Sequence, residues 1–300
     1  MKFGKITNLE GVDFTIPQLM IYSPTDNKKT ACKVFLGTTG WSNKEWIGSY
    51  YPDKANAKDH LAYYSKLFDT IELNTTHYQI PSTEKVANWC SQVNPSFQFC
   101  PKVPQDISHR SNLASETSQS RSFYNSILGM QGNLGPCFMQ MPEYFDPSQS
   151  DKLLHFLNRK PADLSFAIEL RHPKWFANDN FHLRLLAPEL SKLNTGLVIT
   201  DVAGRRDVCH GILPHPILLL RLIGNGLHAS DFGRINQWVK RISTVSSQLD
   251  AVYVFFHQPV MSQIPKMVNH FMEIAIKNDL KLGIEPLKPK YQQNVQLRLF

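Results

Sequence analysis

The amino-acid sequence predicts a single-domain α/β protein with a (β/α)₈ barrel of the TIM type, and two observations support this fold class. Eight short runs rich in β-forming residues follow one another between residues 33 and 290, and most gaps between them carry apolar residues at helical spacing. A barrel of eight such units needs about 250 residues, which this part of the chain supplies. An open doubly wound sheet has the same alternation and remains the alternative.

Each predicted strand is a short apolar run that ends at a turn or at a polar segment. The amphipathic stripes between the runs, such as Leu183, Leu186 and Leu190, place apolar side chains on one helix face. The connection at 203–216 is too short and too rich in Gly and Pro for an ordinary crossover helix, so a short link between strands six and seven is predicted. The eight strand runs cover residues 33–41, 69–78, 97–103, 137–142, 165–173, 196–202, 217–224 and 251–259.

The domain boundaries follow from the same pattern. Residues 1–32 are polar and irregular, so we expect an N-terminal extension outside the main fold. Residues 33–290 form the predicted barrel domain, and residues 291–300 form a C-terminal tail. No second domain is predicted.

Composition excludes several classes of protein. The 300 residues include 42% hydrophobic and 19% charged side chains, which is typical of a globular chain and not of a disordered one. The five cysteines form no C-x-x-C pair, so neither a thiolate zinc site nor a disulfide framework is indicated. The N-terminal stretch has no apolar signal core and the longest apolar runs are far short of a membrane span, so we expect a cytoplasmic protein. The net charge of +7 favours anionic partners.

Polar residues stand at the ends of seven consecutive predicted strands. In a barrel of this type the C-terminal strand ends surround the active site, and residues two apart on a strand share a face. Structural ion pairs, Glu169 with Arg171 and Glu72 with Lys102, are the alternative explanation. Because burying many charges without a use is costly, we favour a functional site. The strand-end residues are Glu72, Asn74, Lys102, Gln140, Glu169, Arg171, Asp201, Arg221 and His257.

Five ordered motifs in the chain resemble those of the YecE-like family, also called the domain of unknown function 72 family. They read LGTTGWSNKEWIGSYYP, ELNTTHYQIPS, FQFCPKVPQDISH, MQMPEYF and IELRHPKWF. The resemblance implies a TIM-type barrel with a polar pocket at its C-terminal mouth, and it implies no established reaction. The chain departs from the family at His77, at Ile80, after Arg221 and at His257. Matching positions that the resemblance adds to the site are Trp41, Tyr78 and His172.

The predicted chemistry is acid–base or hydrolytic catalysis on an anionic substrate. Glu72, Glu169 and Asp201 are the catalytic candidates, because paired carboxylates in different environments can serve as acid and base. The cations Lys102, Arg171 and Arg221 would hold a phosphate or carboxylate. Gly224 opens a Gly-Asn-Gly stretch where many barrels bind phosphate. The remaining substrate-binding candidates are Trp41, Asn74, Tyr78, Gln140, His172 and His257.

We expect no metal and no cofactor. Glu72, Glu169 and His172 belong to residue types that bind divalent ions, as do Asp201 and His257, but no H-E-x-x-H or similar signature supports zinc. The Gly-x-Gly-x-x-Ala stretch that starts at Gly224 is a weak dinucleotide fingerprint, because it comes late in the chain. A divalent-metal-dependent sugar-phosphate enzyme remains an alternative.

The last five residues resemble the pentapeptide that binds the bacterial sliding clamp. Gln296, Leu297, Leu299 and Phe300 match it, and Arg298 departs from it. Such a peptide places a Leu and Phe pair in an apolar groove. An alternative function is therefore a nucleic-acid-associated accessory or repair protein that the tail recruits to the clamp. The same side chains packing back on the barrel would be the simpler explanation.

Overall fold

A computed structural model describes residues 3–23, 32–110, 113 and 118–291 of the chain. In these residues eight parallel strands form the wall of a nearly closed barrel. The predicted (β/α)₈ fold class is confirmed. The strands are β1 Lys33–Thr38, β2 Thr70–Leu73, β3 Gln98–Pro101, β4 Cys137–Gln140, β5 Phe166–Glu169, β6 Thr195–Asp201, β7 Ile217–Ile223 and β8 Ala251–His257.

The strands are arranged in sequence order around the barrel, and β8 pairs with β1. The ring closes between β3 and β4 through isolated bridges, one of which joins Lys102 to Phe138. There the Val103 amide donates to the Phe138 carbonyl at 2.9 Å. Close approach of β1 and β2 explains Gly37, because a Cβ at that position would lie 2.3 Å from the Thr70 carbonyl oxygen.

Helices cover the outside of the barrel and bury one apolar face each against it. Helix α7, for example, buries Val268 and Phe271 and begins with Pro265 in its first turn, where a missing amide proton costs nothing. No described helix is both long and apolar enough to cross a membrane. The helices are α1 His60–Tyr64, α2 Thr83–Ser91, α3 Ser118–Leu128, α4 Ser150–Leu157, α5 Ala177–Lys192, α6 Ala229–Val245 and α7 Ile264–Lys277.

The link between β6 and β7 contains no α-helix, as the sequence predicts. A 3₁₀ turn at Arg206–Val208 and a short strand at Ile212–Leu213 take its place. That strand pairs with Met20–Ile21 near the start of the chain. The N-terminal segment, residues 3–23, therefore occupies the side of the barrel where the crossover helix is missing.

We call residues 3–23 the N-terminal strap. It is irregular, as predicted, but it packs against the barrel and does not stand apart from it. Ile16 is fully buried, and its carbonyl accepts hydrogen bonds from Arg241. Gly211 permits the strap to approach closely, because a Cβ there would collide with the Gln18 carbonyl oxygen. The strap is thus held on the barrel by the burial of Ile16, by its hydrogen bonds with Arg241 and by the close approach at Gly211.

The interior of the barrel is filled by inward-facing side chains. Phe35 and Tyr253 stack there with ring centroids 4.6 Å apart, and Phe138, Val198 and Leu219 belong to the same cluster. Because residues two apart share a face, the next inward positions toward the strand ends are Gln140, Thr200 and Arg221. The apolar interior is therefore followed by a polar layer at the C-terminal mouth.

Candidate active site at the barrel mouth

Arg221 on β7 lies at the centre of the polar layer. Its Nε and Nη2 donate to the two Glu72 carboxylate oxygens at 2.8 and 2.9 Å, and its Nη1 donates to Glu169 Oε2 at 2.7 Å. The guanidinium is 2% exposed. Its planar fork matches carboxylates on opposite sides of the barrel, so one side chain joins β2 to β5 across the lumen.

Both glutamates accept four hydrogen bonds each. Glu72 also accepts from Asn74 Nδ2 at 2.8 Å and contacts His257 Nε2 at 3.1 Å. Glu169 also accepts from Arg171 at 2.9 and 2.8 Å and from Gln140 at 2.9 Å. A carboxylate has about four lone-pair sites, so both groups are saturated. The expected pair of Glu169 with Arg171 is present.

The charges of the network hold both glutamates ionised. Burial by itself raises the pKa of Glu72, but the charge of Arg221 and the hydrogen bond from His257 hold it well below the usual range. Burial also raises the pKa of Glu169, but the charges of Arg221 and Arg171 outweigh it and lower the pKa to about 2. A carboxylate with so low a pKa is a weak base and holds no proton to donate at neutral pH. Electrostatic positioning of the cations is the chemistry that these two side chains support best.

Lys102 differs from the two arginines in its partners. The sequence suggested a pair with Glu72, but Lys102 Nζ donates to Gln140 Oε1 at 3.1 Å, and no described carboxylate lies within ion-pair distance. Burial and the charge of Arg221 lower the pKa of Lys102 to about 8. Lys102 therefore titrates closer to neutral pH than an ordinary lysine, and it adds a positive charge that forms no ion pair with a described carboxylate.

Two histidines, neither of them a predicted site residue, lie beside Lys102. His77 and His109 contact each other with ring centroids 5.6 Å apart. Burial and the charge of Lys102 lower the pKa of His77 to about 4, and the same two causes lower that of His109. His77 donates from Nδ1 to the Val103 carbonyl at 2.8 Å, because a carbonyl can only accept. The corner between β2 and β3 is therefore a cationic and imidazole-rich surface.

His257 lies on the opposite side of the mouth and faces a cavity of about 380 Å³. The cavity is walled by the loops after β7 and β8 and by Lys5, Ile6 and Leu9 of the N-terminal strap. Because Glu72 is ionised, the hydrogen between the two side chains belongs to His257 Nε2. The neutral imidazole then has Nδ1 as its proton acceptor.

The strap also covers the face of Arg171. The Phe3 ring centroid lies 4.1 Å from the Arg171 guanidinium carbon and 5.0 Å from that of Arg205. The Gly204 amide fixes this end of the strap by donating to the Gly4 carbonyl at 2.8 Å. The mouth is thus roofed by a segment that precedes the first strand in sequence.

The Gly224–Gly226 loop does not offer free amides for a phosphate. The Gly224 amide donates to the His257 carbonyl, the Asn225 amide to Asp231, and the Gly226 amide to Gln258 Oε1. A Cβ on Gly224 would collide with the Gln258 side chain. Gly224 lines the cavity, but close packing explains the glycine better than ligand binding does.

Asp201 is not in the mouth, although it ends β6. Its carboxylate faces outward, accepts from Trp238 Nε1 at 2.8 Å, and pairs with Arg234 and Arg206. The inward residue at this level is Thr200, which is in register with Arg221. Asp201 therefore belongs to a separate buried network between the barrel and α6.

Three further predicted residues lie outside the mouth network. Trp41 packs edge to face on Trp89 of α2 at 5.6 Å. Tyr78 is 74% exposed and contacts His77. His172 caps the 3₁₀ turn at Pro173–Trp175 by accepting from the Lys174 amide. Of these, only Tyr78 adjoins the cationic corner.

The metal-dependent alternative and the C-terminal tail are the last of the sequence predictions to place. Within the residues that the structure describes, no group of three His, Cys, Asp or Glu side chains is placed to hold a metal ion. Each oxygen of Glu72 and of Glu169 faces N–H donors, which is the opposite of a cation's requirement. Gln296, Leu297, Leu299 and Phe300 lie outside the described residues.

Comparisons with known proteins agree with the fold. The family described as "Protein of unknown function DUF72" matches residues 35–293. UPF0759 protein YecE of Escherichia coli is 27% identical over 282 residues, covering 86% of this chain and 98% of YecE. UPF0759 protein YunF of Bacillus subtilis is 24% identical over 151 residues, covering 48% and 52%. A solved DUF72 family protein of Enterococcus faecalis superposes with a TM-score of 0.63 at 20% identity, covering 82% of this chain and 98% of that one.

Proposed function

The chain belongs to the DUF72 family of proteins of unknown function, and from that premise we propose that it is an enzyme performing acid–base or hydrolytic chemistry on a small anionic substrate. The observation that carries the proposal is the pair of Glu72 and His257 at the edge of the mouth cavity. Beside this pair lies a network in which cations outnumber carboxylates.

His257 is the proposed general base. Glu72 orients the imidazole through Nε2 and leaves Nδ1 to accept a proton, an arrangement that activates water or hydroxyl nucleophiles in many hydrolases. Burial lowers the pKa of His257, and the charge of Glu72 raises it by less. The net shift is downward, so the ring is neutral at physiological pH. This assignment moves the proton-transfer role from the saturated glutamates to their histidine partner.

Lys102, Arg171 and Arg221 supply the proposed attraction for the anion. Against the two glutamates these three cations leave one net positive charge when Lys102 is protonated. Among buried side chains such a charge is poorly screened, so it attracts anions to the barrel mouth. Because the amides of the Gly224–Gly226 loop have partners in the protein, side chains would recognise the anion.

Hydrolysis of bis(4-nitrophenyl) phosphate and 4-nitrophenyl acetate tests the base, and calorimetric titration with sulfate tests the anion site. His257→Gln should lower the hydrolysis rate by about 100-fold or more while sulfate still binds. Lys102→Met should weaken sulfate binding by about tenfold, the effect of losing one charge-assisted contact. His155→Gln, on the exposed side of α4, is the matched control. The proposal is overturned if the wild type hydrolyses neither ester and Lys102→Met binds sulfate as the wild type does.

A further inference from the structure

The N-terminal strap brings a further cation to the mouth cavity. Within the network itself Lys102 and Arg221 are buried, and the Phe3 ring covers the guanidinium of Arg171. By contrast, the side chain of Lys5 is exposed and lines the cavity. An ammonium group that the cavity exposes would add a direct contact with an anion to the attraction that the network exerts.

The charge of the cavity wall comes from Lys5. Among the described residues that line the cavity there is no Asp, Glu or Arg and no second Lys, and His257 is neutral. Lys5 forms no ion pair with a described carboxylate. Glu10, the first acidic residue after Lys5 along the strap, lines a separate hollow with His228. The wall therefore carries a formal charge of one positive unit, which favours a ligand with one negative charge.

The backbone beside Lys5 is fixed against the barrel. The preceding residue, Gly4, accepts a hydrogen bond from the Gly204 amide at 2.8 Å. Gly4 has a φ of +62°, which suits glycine, and a Cβ there would lie 2.7 Å from a methyl group of Val202. Lys5 therefore leaves the barrel surface from a defined position, so less backbone freedom is lost when its ammonium group binds an anion.

The wall also offers apolar surface from two separate parts of the chain, the strap and the ends of the barrel strands. Ile6 of the strap is 37% exposed, so part of its side chain is available for contact. The amide groups of Asn225 and Gln258 line the cavity too, but they already bond to Asp231 and to the Gly226 amide. A bound molecule can thus bury an apolar body here. The apolar lining residues are Ile6, Leu9, Val202, Ile223, Pro259 and Met261.

We propose that the mouth cavity binds a small amphipathic monoanion, whose charged group pairs with Lys5 and whose apolar body packs on Ile6 and Ile223. This inference rests on the proposed function, because it names the class of substrate on which His257 acts. The cavity volume of about 380 Å³ lies near the lower end of the range of small-molecule sites, so it suits a small ligand and not a polymer. Lys5 is then a specificity-determining residue that lies outside the barrel strands.

Saturation-transfer NMR titrations of the full chain with hexanoate, butyrate and 1-hexanol test the proposal. Hexanoate should bind about tenfold more tightly than butyrate, because each buried methylene group strengthens binding about fourfold. Lys5→Met should weaken hexanoate binding about tenfold and leave 1-hexanol binding unchanged, since only the acid has a charge to lose. Lys5→Arg should keep hexanoate affinity within about twofold of the wild type. Lys240→Met, on the exposed side of α6, is the matched control.

Hydrolysis of 4-nitrophenyl acetate separates this proposal from the proposed function. If hexanoate inhibits the hydrolysis competitively, and does so less in Lys5→Met, both are supported. If hexanoate binds through Lys5 but the ester is not hydrolysed, the ligand class is supported and the enzymatic function fails. The ligand class is overturned if hexanoate gives no saturation transfer at about 50 mM. It is also overturned if Lys5→Met, with the thermal unfolding midpoint of the wild type, binds hexanoate as tightly as the wild type does.

Discussion

Replacing Arg221 by methionine should destabilise the protein in a pH-dependent way. The side chain makes three hydrogen-bonded ion contacts with two buried carboxylates, and removing it leaves both without their central cation. Removing one partner of a buried ion pair costs about 3–5 kcal/mol, and we expect about 4 kcal/mol at pH 7 for Arg221→Met. Urea unfolding followed by circular dichroism measures this difference. Arg110→Met, which breaks an exposed i,i+4 pair, should cost far less.

The pH dependence separates lost charge from lost packing. In the wild type the pKa of Glu72 is lowered, so its stabilisation is present above the ordinary pKa of 4.5 and is lost as the pH falls through the folded value. In Arg221→Met, burial dominates and raises the Glu72 pKa, so Glu72 takes up a proton in the folded variant as the pH falls, and this stabilises the variant. The loss in free energy of unfolding relative to the wild type should therefore be smaller at pH 5 than at pH 8. The reasoning would be refuted if Arg221→Met lost less than about 1 kcal/mol in free energy of unfolding at pH 7, or if the loss were the same at pH 5 and pH 8.

Four further predictions follow from the mouth, the outer network and the tail. Phe3→Ala should uncover Arg171 and strengthen sulfate binding about threefold by calorimetry, and unchanged affinity would contradict a covering role. Burial and Arg221 lower the Lys102 pKa to about 8, so sulfate affinity should fall as the pH rises through about 8, and Lys102→Met should lack this step. Asp201→Asn should lower the free energy of unfolding in urea by about 3 kcal/mol and leave the rate of ester hydrolysis unchanged. A slower reaction would show that Asp201 takes part in the chemistry of the mouth. Deleting residues 296–300 should abolish binding to an immobilised bacterial sliding clamp in surface plasmon resonance, and retained binding would reject the tail as its ligand.

Periodicity predicted the fold because a barrel repeats one strand-and-helix unit. The side chains of the mouth were predicted where the chain alternates inward and outward on a strand with a clear polar end, as at Glu169 and Arg221. Asp201 was misplaced because β6 is buried on both faces, so the sequence does not show which face points inward. His77 was not predicted as a site residue because it lies in a 3₁₀ turn after β2, where no two-residue period applies.

The N-terminal strap was interpreted as separate because its sequence is polar and aperiodic. Its attachment depends on a few contacts with distant residues, such as the Ile16 amide with Gln237, and sequence patterns within the strap do not indicate such partners. The signal that was available was the placement of single apolar residues, Phe3, Phe14 and Ile16, among polar ones. That the strap forms a wall of the mouth cavity is visible only in the folded structure.

The position of the strap also sets the order in which the molecule is completed. Ile16 and its partner Gln237 are 221 residues apart in the chain, so this contact of the strap cannot form until α6 has been synthesised. Closing so long a loop is slow compared with forming the local strand and helix units. The roof of the mouth is therefore made before the elements on which it docks, and it is among the last of the described parts to find its place. Until the strap docks, the face of Arg171 that Phe3 covers in the folded protein has no such cover.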